Sequence, residues 1–402
     1  MINSLVGGGA ERQAAYLADF PFVDRVFCIE PVIDYEVRHE KITVLTNLKP
    51  GPSKAHKVKQ MTRTIRGLKA NGLGKNTHLI CFLQLSVITG VICKLLYGCK
   101  LTISIRVSPF AHKKTDRSGF SRWQLSRIFS IADHVVINSY EGAHELERAF
   151  PFLVEKIQVI PNAFDLDKIA SASQIPNPKF NGLFNEYLFL INAGRLNEQK
   201  GQKHLIRIFS ELKKSDPTLK LCILGEGELK ADLIALCQSL GLKVWVSGNT
   251  DPSKVHDVYF PGFQQNPFWF FGKAAIFALT SYYEGLPNAL VEALACGTPV
   301  ISTNCKTGPC EIITGIAQNC PRKITQPQHH KAGILMPVFR NSFHLPAELD
   351  QVEQIWVKEL KSILADGPVL SEMSASAKSS VQQYNLAHAE RLWETFLGSS
   401  RK

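Results

Sequence analysis

The chain reads as an α/β protein made of two parallel-sheet units. Short apolar runs of strand length alternate with helical stretches from end to end, and strands separated by helices imply parallel sheets. The 402 residues are enough for two or three domains with ample cores. Near the middle, the stretch 164–186 contains Ser171-Ala-Ser-Gln-Ile-Pro-Asn-Pro178, which is turn-rich and poorly periodic and so marks a boundary. The predicted division is a first unit over 1–165, a linker over 166–186, a second unit over 187–385 and a closing helical segment over 386–402. A cleft between two such units is a natural place for a ligand.

In the first half, strands are expected over 23–29, 41–45, 78–82, 101–105, 134–137 and 156–160. Helices are expected over 11–19, 58–70 and 121–131. The second half offers strands over 187–192, 219–224, 243–246, 275–279 and 299–302, and a last helix over 387–396. The most hydrophobic stretch, 79–98, includes Gln84, Ser86, Thr89, Gly90 and Lys94. It falls short of a membrane span and reads as a buried strand running into a buried helix.

Composition is that of a globular protein, with 45% hydrophobic and 20% charged residues. The net charge of +11 biases partners toward phosphates, nucleic acid or anionic lipid. Ten cysteines are present, none in a C-x-x-C pair. Several lie in apolar runs and are expected to act as small hydrophobes in a reducing cytoplasm, since no signal peptide is evident. Cys305, Cys310 and Cys320 with His329 and His330 match no usual zinc spacing, so no metal site is assigned.

The most informative residues are Glu284 and Glu292, in Ser281-Tyr-Tyr-Glu-Gly-Leu-Pro-Asn-Ala-Leu-Val-Glu-Ala-Leu-Ala-Cys-Gly297. Pro287 suits the first turn of a helix and Gly297 its end, with a strand on either side. Within that helix Leu290, Val291, Ala293, Leu294 and Ala295 surround Glu292. A helix apolar all round is buried, and a carboxylate inside it must find partners. Glu284 precedes the helix, where free N–H groups favour anions. The pair reads as a ligand grip.

Other segments are weaker alone. Leu5-Val-Gly-Gly-Gly-Ala-Glu-Arg12 allows close backbone approach at Gly7, Gly8 and Gly9 before a helix; it matches neither the dinucleotide fingerprint nor the P-loop, and an ordinary tight turn is the alternative. Ile191-Asn-Ala-Gly-Arg-Leu-Asn-Glu-Gln-Lys-Gly201 follows a strand, where open α/β sheets bind ligands. Its Arg195 and Lys200 suit a diphosphate, against a reading as solvated surface charge. Arg106 closes another strand. Gly225 and Gly227 form a turn after Cys222-Ile-Leu224, able to seat a base or ribose or simply to turn the chain. Glu311 follows Gly308-Pro-Cys310 in an expected first helical turn, where an acid also stabilises the helix itself.

In this order these pieces resemble the retaining glycosyltransferases of family 4, which have the GT-B fold of two Rossmann-like domains facing a cleft. The resemblance rests on Gly7-Gly-Gly-Ala-Glu-Arg12, Val159-Ile-Pro-Asn162, Gly194-Arg-Leu196 with Lys200-Gly201, Gly225-Glu-Gly227, the Glu-x7-Glu block from Glu284 to Glu292, Gly297-Thr-Pro-Val-Ile301 and Gly308-Pro-Cys-Glu311. Gln264-Gln-Asn-Pro267 and Gly333-Ile-Leu-Met-Pro337 look like the branch that builds bacterial surface polysaccharides.

The resemblance implies transfer of a hexose or N-acetylhexosamine from a UDP- or GDP-linked sugar to a lipid-linked, lipopolysaccharide or capsule glycan. It implies no required cofactor and no nucleic acid partner. Glu284, Arg195 and Lys200 would act in catalysis. Glu292, Gly285, Leu286, Asn288, Gly194, Gly225, Gly227 and Glu311 would bind the donor, with Glu292 on the ribose. Gly7, Gly8, Gly9 and Arg106 would serve the acceptor and diphosphate. The expected location is the cytoplasm, with peripheral contact at the inner membrane face. Departures are a short first strand, Met1-Ile-Asn-Ser-Leu5, Ala163 in place of a glycine, Cys310 in place of an arginine, and Arg106-Val-Ser-Pro109 where a histidine is common. Transfer would then proceed by front-face attack without an enzymic nucleophile. The alternatives are a catalytically impaired sugar-nucleotide-binding or scaffold protein and, with less support because epimerases lack the Glu-x7-Glu helix, a nucleotide-sugar epimerase.

Overall fold

The computed structural model describes residues 1–5, 8–33, 39–48, 51, 53–106, 121–248, 252, 254–316, 320–321, 323–340 and 348–399. They divide into two compact units, Met1–Phe164 with Leu386–Lys402, and Asp165–Asn385.

In the N-terminal unit four parallel strands follow in order: His78–Phe82, Lys100–Ile105, His134–Ile137 and Ile157–Val159. A parallel pair, Val26–Cys28 and Ile42–Val44, lies beyond them. The short first segment joins the two sets. Ile2 N–H donates to Phe27 O at 2.9 Å, Ile29 N–H donates back to Ile2 O at 3.0 Å, and Phe82 N–H donates to Met1 O at 3.0 Å. Brief as it is, Met1–Leu5 occupies the place of a central strand, with Ile2 and Leu5 fully buried. The chain leaves it first to one side, toward Cys28, and later to the other, toward Phe82. That reversal is a topological switch point.

Apolar side chains cover both faces of this sheet. One cluster includes Leu79, Leu101, Val135, Phe129 and Leu146. The other joins the helix Gly9–Asp19 to the final helix Leu386–Ser399 through Ala14, Leu17, Val136 and Trp393. The hydrophobic stretch 79–98 resolves into the strand His78–Phe82 and the helix Gln84–Tyr97. Among the described residues no helix is long and apolar enough to cross a membrane.

The C-terminal unit holds an eight-stranded sheet. In spatial order its strands are Gln328–His330, Gly333–Met336, Val300–Thr303, Ile276–Leu279, Phe189–Ala193, Lys220–Leu224, Val258–Gly262 and Val244–Val246. All neighbours are parallel except the first pair, which is antiparallel. The chain lays down Phe189–Ala193, builds outward on one side, then returns to place Ile276–Leu279 on the other. The switch point therefore lies between the strands ending at Ala193 and Leu279.

The stretch 166–186, expected as a linker, carries two helices, Leu166–Ser173 and Asn181–Glu186. Asp165 caps the first by accepting from Lys168 N–H at 3.0 Å, and Leu166, Ile169, Phe180, Leu183 and Phe184 bury apolar surface. Spacing across its Pro and Asn residues obscured this. Also unforeseen were the strand Val258–Gly262, next to the edge of the sheet, and the hairpin Gln328–Met336, whose histidines gave no strand alternation. Trp356, on the helix Gln351–Ala365, has no exposed surface and donates Nε1–H to Pro337 O at 3.2 Å. Trp356→Ala is expected to lower stability by ~3–5 kcal/mol, the range for deleting a buried aromatic, read as a lower urea midpoint.

Candidate donor site

Two loops meet at the switch point of the C-terminal sheet. The first leaves the strand at Ala193, passes Gly194 and Arg195, forms a short 3-10 turn over Glu198–Lys200, and enters the helix Gln202–Ser215. The second leaves the strand at Leu279 and reaches the helix Asn288–Ala295. Four hydrogen bonds pin them together. Thr280 Oγ1–H donates to Lys200 O at 2.8 Å, and Tyr282 N–H to Gln199 O at 2.9 Å. Gln199 Nε2–H donates to Tyr283 O at 2.9 Å, and Lys200 Nζ to Glu284 Oε1 at 2.7 Å. The sequence placed Lys200 and Glu284 on separate loops as opposite halves of a clamp. The structure brings them into one ion pair.

Glu284 is 5% exposed. Ser281 Oγ–H also donates to its Oε1, at 2.5 Å. Both contacts fall on one carboxylate oxygen, leaving Oε2 to accept from a hydroxyl. Thr307 Oγ1–H binds Glu284 O and Gly285 O at 3.0 and 2.8 Å. That ties a third loop, after the strand Val300–Thr303, to the same place. Glu311 stands on this third segment in the helix Pro309–Thr314 and is buried.

The glutamate helix begins one residue later than expected. Pro287 is its N-cap, with extended φ and ψ of −69° and 102°, and Asn288 its first helical residue. Its end follows the sequence reading. Gly297, at φ 88°, lets its own N–H reach Leu294 O at 2.9 Å and Thr298 N–H reach Ala293 O at 3.0 Å, the paired closure that a left-handed residue permits. Glu292, Leu290, Val291 and Leu294 are buried, as are Gly285 and Leu286, while Asn288 is half-buried. Glu292 also lies one turn from Cys296, and burial together with that carboxylate pushes the Cys296 thiol up.

The glycine turn after the strand Lys220–Leu224 lies against the Arg195 loop. A Cβ at Gly225 would stand 2.0 Å from Gly194 O, at a backbone φ of 128°. Only glycine fits so close an approach. Gly227 is similarly packed on Leu196 O. Arg195 itself is exposed and makes no ion pair among the described residues. The two cations thus differ: Lys200 is already paired, whereas Arg195 extends from the loop. Phe263, 67% exposed, follows the strand Val258–Gly262 at the neighbouring strand end.

In the N-terminal unit Gly7 lies outside the described residues. Gly8 is the N-cap of the helix Gly9–Asp19, and Gly9 its first residue. Arg106 is half-buried and spends its guanidinium within the unit. Nη1 donates to Ile160 O at 3.2 Å and to Asn162 Oδ1 at 3.0 Å, Nε donates to Ser104 Oγ at 3.0 Å, and the group lies over the Phe82 ring. Burial lowers its pKa. Gln13 makes a two-way bond with Ala163, through Nε2 to O at 2.9 Å and from N to Oε1 at 2.6 Å. These bonds anchor the Val159–Ala163 turn beside the first helix.

Several residues escaped the sequence reading. Behind the loop pair lies a buried polar cluster. His204 Nδ1 contacts Glu353 Oε1 at 2.7 Å and His204 Nε2 contacts Tyr282 Oη at 2.8 Å. Arg207 Nε and Nη2 donate to the two Glu353 oxygens at 2.9 and 3.0 Å. Glu353 is also the third residue of a capping box with Asp350. Asp350-Gln-Val-Glu353 is a sequence pattern for a helix start, but nothing in it points to His204. Hydrogen bonds from His204 and Arg207 outweigh desolvation and hold the Glu353 carboxyl at about 2. Burial and nearby Glu198, Glu353 and Asp350 push the Tyr282 phenol up, so it keeps its proton as a donor.

The cysteines also depart from an all-thiol expectation. Cys310 and Cys320 form a disulfide, with Cα atoms 5.9 Å apart, and the other eight are buried thiols. The helix Pro309–Thr314 turns back at Gly315, which lets residues ten apart meet.

Residues 173–317 match the family model described as "Glycosyl transferases group 1". An uncharacterised glycosyltransferase of Methanocaldococcus jannaschii is 38% identical over 217 residues, covering 54% of this chain and 50% of that protein. The chain thus spans about half the length of that relative. An N-acetylgalactosamine-N,N'-diacetylbacillosaminyl-diphospho-undecaprenol 4-alpha-N-acetylgalactosaminyltransferase of Campylobacter jejuni is 28% identical over 320 residues, covering 77% and 81%. Among solved structures, Anabaena HepE in complex with UDP superposes with a TM-score of 0.68 at 17% identity, covering 99% of this chain and 98% of that one. Sucrose-phosphate synthase of Thermosynechococcus elongatus gives 0.70 at 17%, covering 99% and 96%. The fold is GT-B, and within the C-terminal unit the match to the group 1 model runs over residues 173–317.

Because the Glu353 carboxyl sits near 2 rather than at its ordinary 4.5, it binds protons less readily folded than unfolded. Its contribution is full above 4.5 and is lost as pH falls toward 2. Glu353→Gln is therefore expected to be clearly less stable than wild type at pH 7, with the gap narrowing steadily below about pH 4.5 in urea titrations at stepped pH.

Proposed function

We propose that this chain is a retaining glycosyltransferase. It moves a hexose or N-acetylhexosamine from a UDP- or GDP-linked donor to a lipid-linked, lipopolysaccharide or capsule glycan. The observation that carries this is the Lys200–Glu284 pair at the switch point, with buried Glu292 a few residues on. A nucleotide sugar presents hydroxyls and a diphosphate together. Glu284 and Glu292 supply acceptors for the hydroxyls; Lys200 and Arg195 supply cations for the diphosphate. The C. jejuni relative is named for transfer to a diphospho-undecaprenol acceptor, and HepE was solved with UDP; both favour this chemistry.

In the proposed reaction the bond from the anomeric carbon to the phosphate oxygen breaks, and negative charge grows on the departing diphosphate. Lys200 and Arg195 neutralise that charge where it develops. The acceptor hydroxyl attacks the same face, its oxygen bonds to the anomeric carbon, and its proton passes to the leaving phosphate. Glu284 receives donor hydroxyls on Oε2 while Ser281 and Lys200 hold Oε1. Glu292 takes the ribose, and Asn288, Gly285, Leu286, Gly194, Gly225, Gly227 and Glu311 shape the surrounding pocket. Charge compensation by side chains makes the reaction independent of a cofactor. The N-terminal unit receives the acceptor, near Gly8, Gly9 and the Arg106–Asn162 strand ends.

Peripheral contact with an anionic membrane belongs to the same proposal. The helix Lys54–Ala70 carries Lys57, Lys59, Arg63, Arg66 and Lys69, all exposed, and no acidic residue. Such a helix attracts anionic lipid at ~1 kcal/mol per basic residue.

A panel of nucleotide sugars, with and without lipid-linked acceptors, tests the reading through nucleoside diphosphate release. Lys200→Ala and Glu284→Gln are each expected to reduce kcat/KM by ~100-fold or more, the scale for losing a transition-state charge contact. Donor binding without release would favour a non-catalytic sugar-nucleotide-binding protein. Unchanged turnover in both variants would sink the site assignment. Release should persist in excess chelator; loss on chelation and recovery with Mg²⁺ would refute cofactor independence. Binding to phosphatidylglycerol vesicles should weaken steeply between low and physiological salt.

A further inference from the structure

Tyr282 lies two residues before Glu284 and joins the two loops in two ways. Its N–H donates to Gln199 O at 2.9 Å, next to Lys200. Its hydroxyl turns inward to His204 Nε2 at 2.8 Å. His204 belongs to the first turn of the helix Gln202–Ser215, which starts two residues after Lys200. The hydroxyl therefore spans from the glutamate loop to the helix that carries the lysine loop.

The anchor behind this contact is rigid. His204 and Glu353 have no exposed side-chain surface. The His204 ring stacks on Phe339, with centroids 4.3 Å apart and planes at 6°. Glu353 is gripped at both oxygens by Arg207, and its Oε2 also accepts from Asp350 N–H at 2.9 Å. Arg207 is held in turn through Nη2 to Glu348 O at 2.6 Å. With Glu353 accepting at Nδ1, the other ring nitrogen is left to accept from the phenol, a tautomer assigned from the bonding pattern. Satisfying the buried acid and histidine requires only Arg207, Asp350 and one further donor. The half-buried Tyr282 supplies that donor from the very turn that carries Glu284.

We infer that Tyr282 is a positioning residue for the proposed diphosphate site: through His204 it is fastened to the Glu353–Arg207 pair, and it thereby holds Glu284 in register with Lys200. The inference rests on the donor-site reading above. Without the hydroxyl, a ring of nearly the same volume remains, but the glutamate loop is released from the helix beneath it. A displacement of about 1 Å at such a site is enough to cost on the order of 100-fold in rate.

A double-mutant cycle separates positioning from bulk stability. UDP and GDP are titrated calorimetrically into the full chain as wild type, Tyr282→Phe, Lys200→Ala and the double variant, with thermal unfolding run alongside. Tyr282→Phe is expected to weaken binding by about tenfold in the wild-type background and by less than about twofold once Lys200 is gone, because coupled residues are non-additive. An equal loss in both backgrounds, or no loss in the first, overturns the inference while leaving the donor site standing. If wild type binds neither nucleotide, the donor-site reading fails and the inference falls with it. Should Tyr282→Phe not fold, His204→Phe, which preserves the stack on Phe339, takes its place in the cycle. A crystal structure of the folded variant with Lys200 Nζ still 2.7 Å from Glu284 Oε1 would also overturn it.

Discussion

Lys200 and Glu284 are 84 residues apart in sequence and 2.7 Å apart in space, and the C-terminal unit is arranged around that contact. It exists because Phe189–Ala193 and Ile276–Leu279 are neighbours in the sheet while the chain between them builds the opposite half. Both strands end on the same edge, and their following loops have nowhere to go but against each other. A cation–carboxylate pair this close in a half-dry place is not a simple source of stability. Desolvation offsets much of the attraction, and removing one partner leaves the other uncompensated. Its value is geometric: it presents a lysine beside a carboxylate whose contacts among the described residues fall on one oxygen.

The surrounding structure limits how far that pair can move. Thr280 and Gln199 each lock a side chain of one loop to a backbone carbonyl of the other. Thr307 ties the Glu311 segment to the same turn, and Gly225 lets a third strand end close on Gly194. Beneath lie His204 and Glu353, with no exposed surface, and Arg207, only 6% exposed, so little water dilutes their interactions. In low dielectric such a network is strong when complete and costly when one member is missing. An anionic ligand arriving at Lys200 would meet a cation already oriented, with Arg195 extended and exposed nearby.

The N-terminal unit repeats the same logic with different chemistry. Met1–Leu5 lies between Phe27 and Phe82, and the strand order reverses around it. Arg106 there is bound to Ile160, Asn162 and Ser104. It acts first as a tie between the ends of Lys100–Ile105 and Ile157–Val159, across the intervening strand His134–Ile137.

How much of this was legible in the sequence follows from range. Strands such as 78–82 and 134–137 and the helix from Asn288 to Ala295 announced themselves because apolar periodicity, a proline at the start and Gly297 at the end are local signals. Glu292 stood out because an acid in an all-apolar helix has one sensible fate, burial. Lys200 and Glu284 were recognisable as candidate site residues by type and by position after strands. What local pattern could not supply was pairing across distance. Nothing near Tyr282 names His204, nothing near His204 names Glu353, and Cys310 gives no sign of Cys320. The strand Val258–Gly262 was hidden by its own Pro261 and Gly262, which read as turn residues until neighbouring strands on both sides supplied hydrogen bonds. By itself the sequence determined the α/β class, the loops at the strand ends and the residue types at the candidate site, since these rest on periodicity and composition along a few turns of chain. Only the tertiary structure decided that Lys200 binds Glu284 and that a buried histidine stands behind them, because strand order, which no local preference encodes, sets which loops touch.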